Sequence, residues 1–175
     1  IDEYVMGYGK RIDLHVTDHR VEVRDYGRGI PLGKIIDCVS KINTGGKYDN
    51  QSFQKSVGLN GVGTKAVNAL SAYFQVQSFR SGQTRSATFK QGLLVEATPL
   101  QSTQEPDGTR VVFEPDASIF KNFQFIPQFI VEQIWNYVFL NAGLVIAFNG
   151  QKYVSKNGLL DLLERKTETE TLCYP

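Results

Sequence analysis

The stretch Asp25-Tyr26-Gly27-Arg28-Gly29-Ile30-Pro31 constrains this chain more than any other. It follows the alternating run Val21-Glu22-Val23, which reads as a strand with its valines on one side. Asp25 sits at the strand's end, and two glycines and a proline then force a tight turn. A carboxylate held at a strand end beside bare backbone is a good acceptor for an amino group on a flat ring. The glycines let such a ring lie close to the main chain. Taken alone, the motif reads as a plain surface turn with a solvated aspartate. A second glycine cluster downstream changes that reading.

The second cluster is Val57-Gly58-Leu59-Asn60-Gly61-Val62-Gly63-Thr64-Lys65. Its glycine spacing matches a P-loop, but Thr64-Lys65 stands in the reverse order and polar residues precede it where a strand belongs. From Gly61 to Ala66 it also matches a dinucleotide fingerprint literally, yet no strand leads in and no acidic residue follows about 20 positions on. What remains is physical: three glycines bring main-chain N–H groups together where a helix begins, which suits an anion such as a phosphate. Between the two clusters, residues 44–60 show little periodicity and many turn formers, the pattern of a functional lid. Adenine recognition at one end, phosphate recognition at the other and a lid between them describe an ATP site.

The other segments supply a scaffold. Residues 1–8 read as the end of a helix, 10–16 and 20–25 as two strands, and 33–43 as a helix with Ile35, Ile36, Val39 and Ile42 on one face. Residues 61–71 read as a helix burying Val62, Ala66, Val67 and Leu70. Strands follow at 73–80, 84–91, 93–98 and 109–114, with a polar loop at 99–108. Residues 126–141 form an apolar helix with Ile130, Ile134 and Val138 in step and Pro127 in its first turn. A hairpin turns at Asn149-Gly150, and 159–165 make a last short helix. Mixed blocks of helices and hairpins predict an α+β fold, a two-layer sandwich of helices on one face of a mixed, mostly antiparallel sheet.

With 175 residues the chain can bury a sizeable core in one domain. Its net charge of +1 gives no electrostatic case for nucleic acid or a membrane. Two cysteines and two histidines make a disulfide scaffold or a zinc site a poor fit and suit a reducing, cytoplasmic setting. No apolar run reaches the roughly 20 residues of a membrane span. Both ends look cut, with 1–166 forming the ATP-binding domain and 167–175 a linker toward a following domain.

Asp25-x-Gly27-x-Gly29, Gly58-x-x-Gly61-x-Gly63 and Gly108-Thr109 resemble the nucleotide boxes of the GHKL ATPases, a superfamily that includes type II topoisomerases, certain chaperones, histidine kinases and mismatch-repair proteins. With Ile1-Asp2-Glu3, Thr44-Gly45-Gly46-Lys47-Tyr48, Val67-Asn68-Ala69-Leu70-Ser71 and Phe139-Leu140-Asn141-Ala142-Gly143, the closer resemblance is to the ATPase domain of the bacterial gyrase B and topoisomerase IV B subunits. It covers nearly the whole chain. The resemblance implies that Asp25 accepts the adenine amino hydrogen, with Thr109 assisting. Gly29, Ile30 and Pro31 would line the ring. Gly58, Leu59, Asn60, Gly61, Val62, Gly63 and Thr64 would wrap the triphosphate, with charge added by Lys47. Glu3, Arg28 and Arg85 would meet aminocoumarin-type inhibitors at the rim.

The match departs from the family at Val57 and Asn60, where the loop usually has Gly and His. The segment after Pro31 is also shorter than in typical gyrase B chains, which leans toward the topoisomerase IV branch. The resemblance puts the general-base Glu and the Mg²⁺-ligating Asn upstream of Ile1, so this chain is expected to have no catalytic residue and no metal ligand of its own, and to hold ATP while hydrolysing it negligibly. In the full-length protein the implied cofactors are ATP and Mg²⁺, and the implied partners are DNA, the topoisomerase A subunit and a second copy in a dimeric clamp. The alternatives are a GHKL ATPase module of a chaperone or mismatch-repair protein, and a binding module that takes no nucleotide.

Overall fold

The structure, a computed structural model, describes residues 1–40 and 62–169. A single helical turn, α1 (Asp2–Val5), leads into the antiparallel strands β1 (Arg11–Val16) and β2 (Val21–Asp25). Two short helices follow, α2 (Ile35–Ser40) and α3 (Val62–Ala69). A meander comes next: β3 (Ser71–Arg80), β4 (Gln83–Lys90) and β5 (Leu93–Ala97). Its turns are the pairs Ser81-Gly82 and Gln91-Gly92, all four residues at positive φ, the backbone twist that two-residue hairpins need. The short β6 (Gln101–Ser102) interrupts the polar loop, and β7 (Gly108–Pro115) returns to the sheet. Then come α4 (Pro127–Leu140), the hairpin of β8 (Val145–Phe148) and β9 (Gln151–Tyr153), and α5 (Leu159–Thr169).

Among the described residues the sheet runs β5-β4-β3-β7-β2-β1-β8-β9, with β6 attached to β4. Its pairs are antiparallel except β1 with β8, which α4 reaches by crossing the sheet. Directly opposed residues share a face, and the register puts the apolar set on one side: Phe89 with Phe74, Ala87 with Val76, Phe113 with Val21, Val111 with Val23, Leu14 with Phe148, Ile12 with Ile146. The helices cover that side. Ile35 and Val39 of α2 pack on Phe74, Val76, Ala87 and Phe89, while Ile134 and Val138 of α4 pack on Ile146, Phe148 and Tyr153. α5 packs outside α4, with the Arg165 guanidinium 4.5 Å from the Trp135 ring. This is the expected two-layer α+β sandwich.

Two expectations are corrected in detail. In α3, Val62 and Leu70 are exposed (50% and 41%) and so is Ala66, whereas Lys65 and Asn68 are buried. The cause is the Asn68 amide, which donates to the Val39 carbonyl (3.0 Å) and turns that side of α3 onto α2. Ala66 and Leu70 are left to edge an apolar cavity of about 240 Å³ that Phe113, Phe120, Phe123 and Phe125 also line. The last helix runs to Thr169 rather than ending at 165, and Thr167 Oγ1 donates back to the Leu163 carbonyl (3.0 Å) within it.

Candidate functional site

Asp25 ends β2 on the helical side of the sheet, opposite Ile12. Its Oδ1 accepts the backbone N–H groups of Gly27 (2.9 Å) and Thr109 (3.3 Å), which fixes the carboxylate at the strand end. Oδ2 accepts no bond from a described residue. Ser78 opposes Thr109, and Arg85 opposes Ser78. Arg85, Ser78, Thr109, Asp25 and Ile12 therefore form one row across the helix-covered face.

The loop after Asp25 is folded down onto that row. Gly29 has φ +73°, and a Cβ there would strike the carbonyl oxygens of Phe79 and Gly108. Gly108, at φ +142°, approaches the Asp25 carbonyl so closely that a Cβ would collide with it. Both positions need glycine for backbone conformation and for space. Three side chains then hold the loop by its carbonyls. Arg80 NH1 donates to Gly29 O (3.0 Å), Ser78 Oγ to Ile30 O (2.6 Å), and Arg85 NH1 to Leu32 O (3.3 Å). Arg85 Nε also donates to Thr98 O (3.2 Å), so its guanidinium staples the loop to the end of β5.

Arg24 braces the strand end from the other face. It is 8% exposed, its guanidinium carbon lies 4.2 Å from the Phe79 ring centroid and 4.9 Å from that of Tyr26, and it donates to the carbonyls of Asp25 and Pro106. At the rim, Glu3 receives a fork from Arg28. Nε reaches Oε2 (3.1 Å), NH2 reaches Oε1 (2.9 Å), and the Arg28 backbone N–H reaches Oε2 (2.9 Å). The guanidinium hydrogen bonds hold the Glu3 carboxyl below the usual carboxylate range and raise Arg28. The Tyr8 ring stacks on the same guanidinium at 4.1 Å.

At the second cluster, Val62, Gly63 and Thr64 form the exposed first turn of α3. Ile30 and Val67 pack against the same buried cluster, so the Asp25 loop and α3 stand on one side of the sheet. Ile30 is half-buried there and Pro31 is exposed. Lys47, Gly58, Leu59, Asn60 and Gly61, with the 44–60 lid, lie outside the described residues. No group of three or more His, Cys, Asp or Glu side chains that could hold a metal ion occurs among the described residues.

Sequence reasoning missed Arg24, Ser78 and Arg80. A signal existed for two of them: Phe74, Val76, Ser78 and Arg80 share one face of β3, so the last two put polar groups at core-facing positions. Arg24 carried no comparable sign, since arginines at strand ends are common.

A row of side chains beside a glycine-tight loop lies under a layer of helices on a mainly antiparallel sheet, the α+β sandwich that the sequence resemblance to GHKL-type ATPase domains implies. The structure matches the 43K ATPase domain of Thermus thermophilus gyrase B, solved in complex with an aminocoumarin, with a TM-score of 0.77 and 27% identity, covering 99% of this chain and 48% of that one. In sequence the chain is 48% identical over 174 residues to the B subunit of DNA topoisomerase 4 from Borreliella burgdorferi, which covers 99% of this chain and 29% of that protein. It is 33% identical over 193 residues to the DNA gyrase B subunit of Thermus thermophilus, covering 99% of this chain and 30% of that protein. No family model matches. By sequence over nearly its whole length and by fold, the chain belongs with the ATPase domain of the bacterial type II topoisomerase B subunits. It spans under a third of the length of these curated relatives.

Proposed function

We propose that this chain binds ATP, and that in its full-length protein, a gyrase B or topoisomerase IV B subunit, nucleotide-driven closure of a dimeric clamp powers passage of one DNA segment through another. The observation that carries the reading is the Asp25 carboxylate: Oδ1 is fixed by two backbone donors while Oδ2 is left for an exocyclic amine. Thr109 stands beside it, and Gly29, Ile30 and Pro31 form the wall against which a purine lies. Val62, Gly63 and Thr64, with Gly58, Leu59, Asn60, Gly61 and Lys47, take the phosphates. ATP would bring Mg²⁺ with it.

Glu3, Arg28 and Arg85 form the edge that an aminocoumarin meets, and Arg80, bonded to Gly29 O, belongs to the same edge. DNA, the topoisomerase A subunit and a second copy of the B chain are the partners of the whole protein, and the cytoplasm is its setting. Among the described residues no helix is long and apolar enough to cross a membrane. We propose further that the isolated 175-residue chain turns over ATP negligibly. Glu3 is engaged by Arg28 and Asp25 by backbone donors, and neither is placed as a general base.

Titration with a non-hydrolysable ATP analogue tests the proposal. Wild type should bind, Asp25→Asn should lose about tenfold or more in affinity, and an aminocoumarin should compete. Equal binding by the variant would support a module that uses no adenine. Failure of the aminocoumarin to compete would favour a chaperone or mismatch-repair ATPase.

A further inference from the structure

The ladder between β2 and β7 runs from Val21 opposite Phe113 to Arg24 opposite Arg110 and stops there. Asp25 and Thr109, the next residue on each strand, are the two that build the candidate site. At that level each belongs to a different half of the sheet. Asp25 is in register with Ile12 of β1, and Thr109 with Ser78 of β3. Across the gap, the Thr109 N–H donates to Asp25 Oδ1 at 3.3 Å, which is long for such a bond. One long bond is a weak constraint on where the other carboxylate oxygen points.

Arg24 closes the same gap from the opposite face of the sheet. Its NH1 donates to the Asp25 carbonyl (2.7 Å) and its NH2 to the Pro106 carbonyl (2.5 Å). Pro106 leads into β7, and the next residue, Asp107, is tied to the β3–β4 turn, where the Ser81 N–H donates to its Oδ1 (2.8 Å). The guanidinium therefore joins the end of β2 to the half of the sheet that carries Thr109. Its seat is tight: it lies against the Phe79 and Tyr26 rings, and a Cβ on Gly108 would come within 2.4 Å of NH1. A planar fork spans two acceptors at a set separation, which the point charge of a lysine does not reproduce.

We infer that Arg24 is a positioning residue for recognition of the purine. It holds Asp25 at the spacing from Thr109 at which Oδ2 meets the exocyclic amine. Arg24 touches no nucleotide; it acts through the Asp25 main chain from the far side of the sheet. The inference rests on the ATP-site reading above and adds to it a residue outside the cavity, one that bears on the base and not on the phosphates.

The test is to titrate the full 175-residue chain with ADP and with IDP, which carries a carbonyl oxygen in place of the amino group, well below the melting temperature of each variant. Wild type should prefer ADP by about tenfold or more. Arg24→Met should weaken ADP about fivefold to tenfold and leave IDP within about twofold, so that the preference nearly vanishes. Arg24→Lys should fall between the two. Arg110→Met is the control: that guanidinium is the next in the same row and bonds Glu22 (2.7 and 2.9 Å), so its loss should leave the preference intact. A purely structural role for Arg24 would weaken ADP and IDP together, and an unchanged ratio in Arg24→Met overturns the inference. If Arg24→Met does not fold, an unchanged ratio in Arg24→Lys overturns it in the same way, as does a ratio that collapses equally in Arg110→Met. If wild type binds neither ligand, or binds both equally, the ATP-site reading itself falls; if wild type prefers ADP and Arg24→Met keeps that preference, the reading stands and the role of Arg24 does not.

Discussion

Replacing Ser78 by alanine should damage stability and purine binding together. Ser78 is fully buried, and its Oγ donates to the Ile30 carbonyl at 2.6 Å, in the middle of the loop that follows Asp25. The substitution removes one hydrogen bond and leaves a carbonyl without its donor, at a cost of about 1–3 kcal/mol. Alanine fills nearly the same volume, so no cavity term is added. For a domain of this size about 2 kcal/mol lowers the melting temperature by roughly 4–8 °C. The same bond sets the height of Ile30 above the sheet. Release of part of that energy as loop motion, about 1.4 kcal/mol, weakens adenosine about tenfold. Thermal melts and adenosine titration by calorimetry read the two effects. Gln77→Ala is the control, because Gln77 faces the other side of β3 and its side chain donates to Thr84 Oγ1, at 3.1 Å. A melting temperature unchanged in Ser78→Ala, or one lowered with adenosine affinity intact, would refute the idea that the pins on the loop carbonyls shape the site.

Gly108→Ala should be harsher, since a Cβ at φ +142° collides with the Asp25 carbonyl; a loss above about 2 kcal/mol in chemical denaturation is expected, and wild-type stability would contradict it. Glu3→Gln should cost about 0.5–1 kcal/mol at neutral pH, as for a partly exposed pair. Because the folded-state pKa of Glu3 is depressed by Arg28, that contribution is present above the ordinary carboxylate range and disappears as pH falls through the lowered value. Stability curves of wild type and Glu3→Gln should therefore converge in acid, and a gap that widens there would reverse the assignment. Arg80→Ala should release the Gly29 carbonyl and weaken an aminocoumarin severalfold, measured by competition; no change would remove Arg80 from the rim.

Much of this architecture could be read from residues in sequence. Asn149-Gly150 turns β8 into β9 with both residues at positive φ, and Ile130, Ile134 and Val138 set the buried stripe of α4, because local turn chemistry and periodicity decide such features. Strand order could not be read that way. β7 inserts between β3 and β2, and β8 lies parallel to β1, through contacts distant in sequence. The burial of α3 was misread because periodicity ranks Val62 and Leu70 above Asn68, while one side-chain bond to Val39 outweighs that order. Asp25 and its glycines were legible because a tight turn after a strand has few chemical solutions. The carbonyl pins from Ser78 and Arg80 were not, since they join residues about 50 positions apart.

The account stands or falls on whether the free oxygen of Asp25 reads a purine amino group. Comparing ATP with ITP, which has a carbonyl oxygen in place of that group, tests this most directly. Wild type should prefer ATP by about tenfold or more, as a site built around one hydrogen bond rejects the analogue that cannot make it, and Asp25→Asn should lose the preference. Equal affinity of wild type for ATP and ITP would contradict the account.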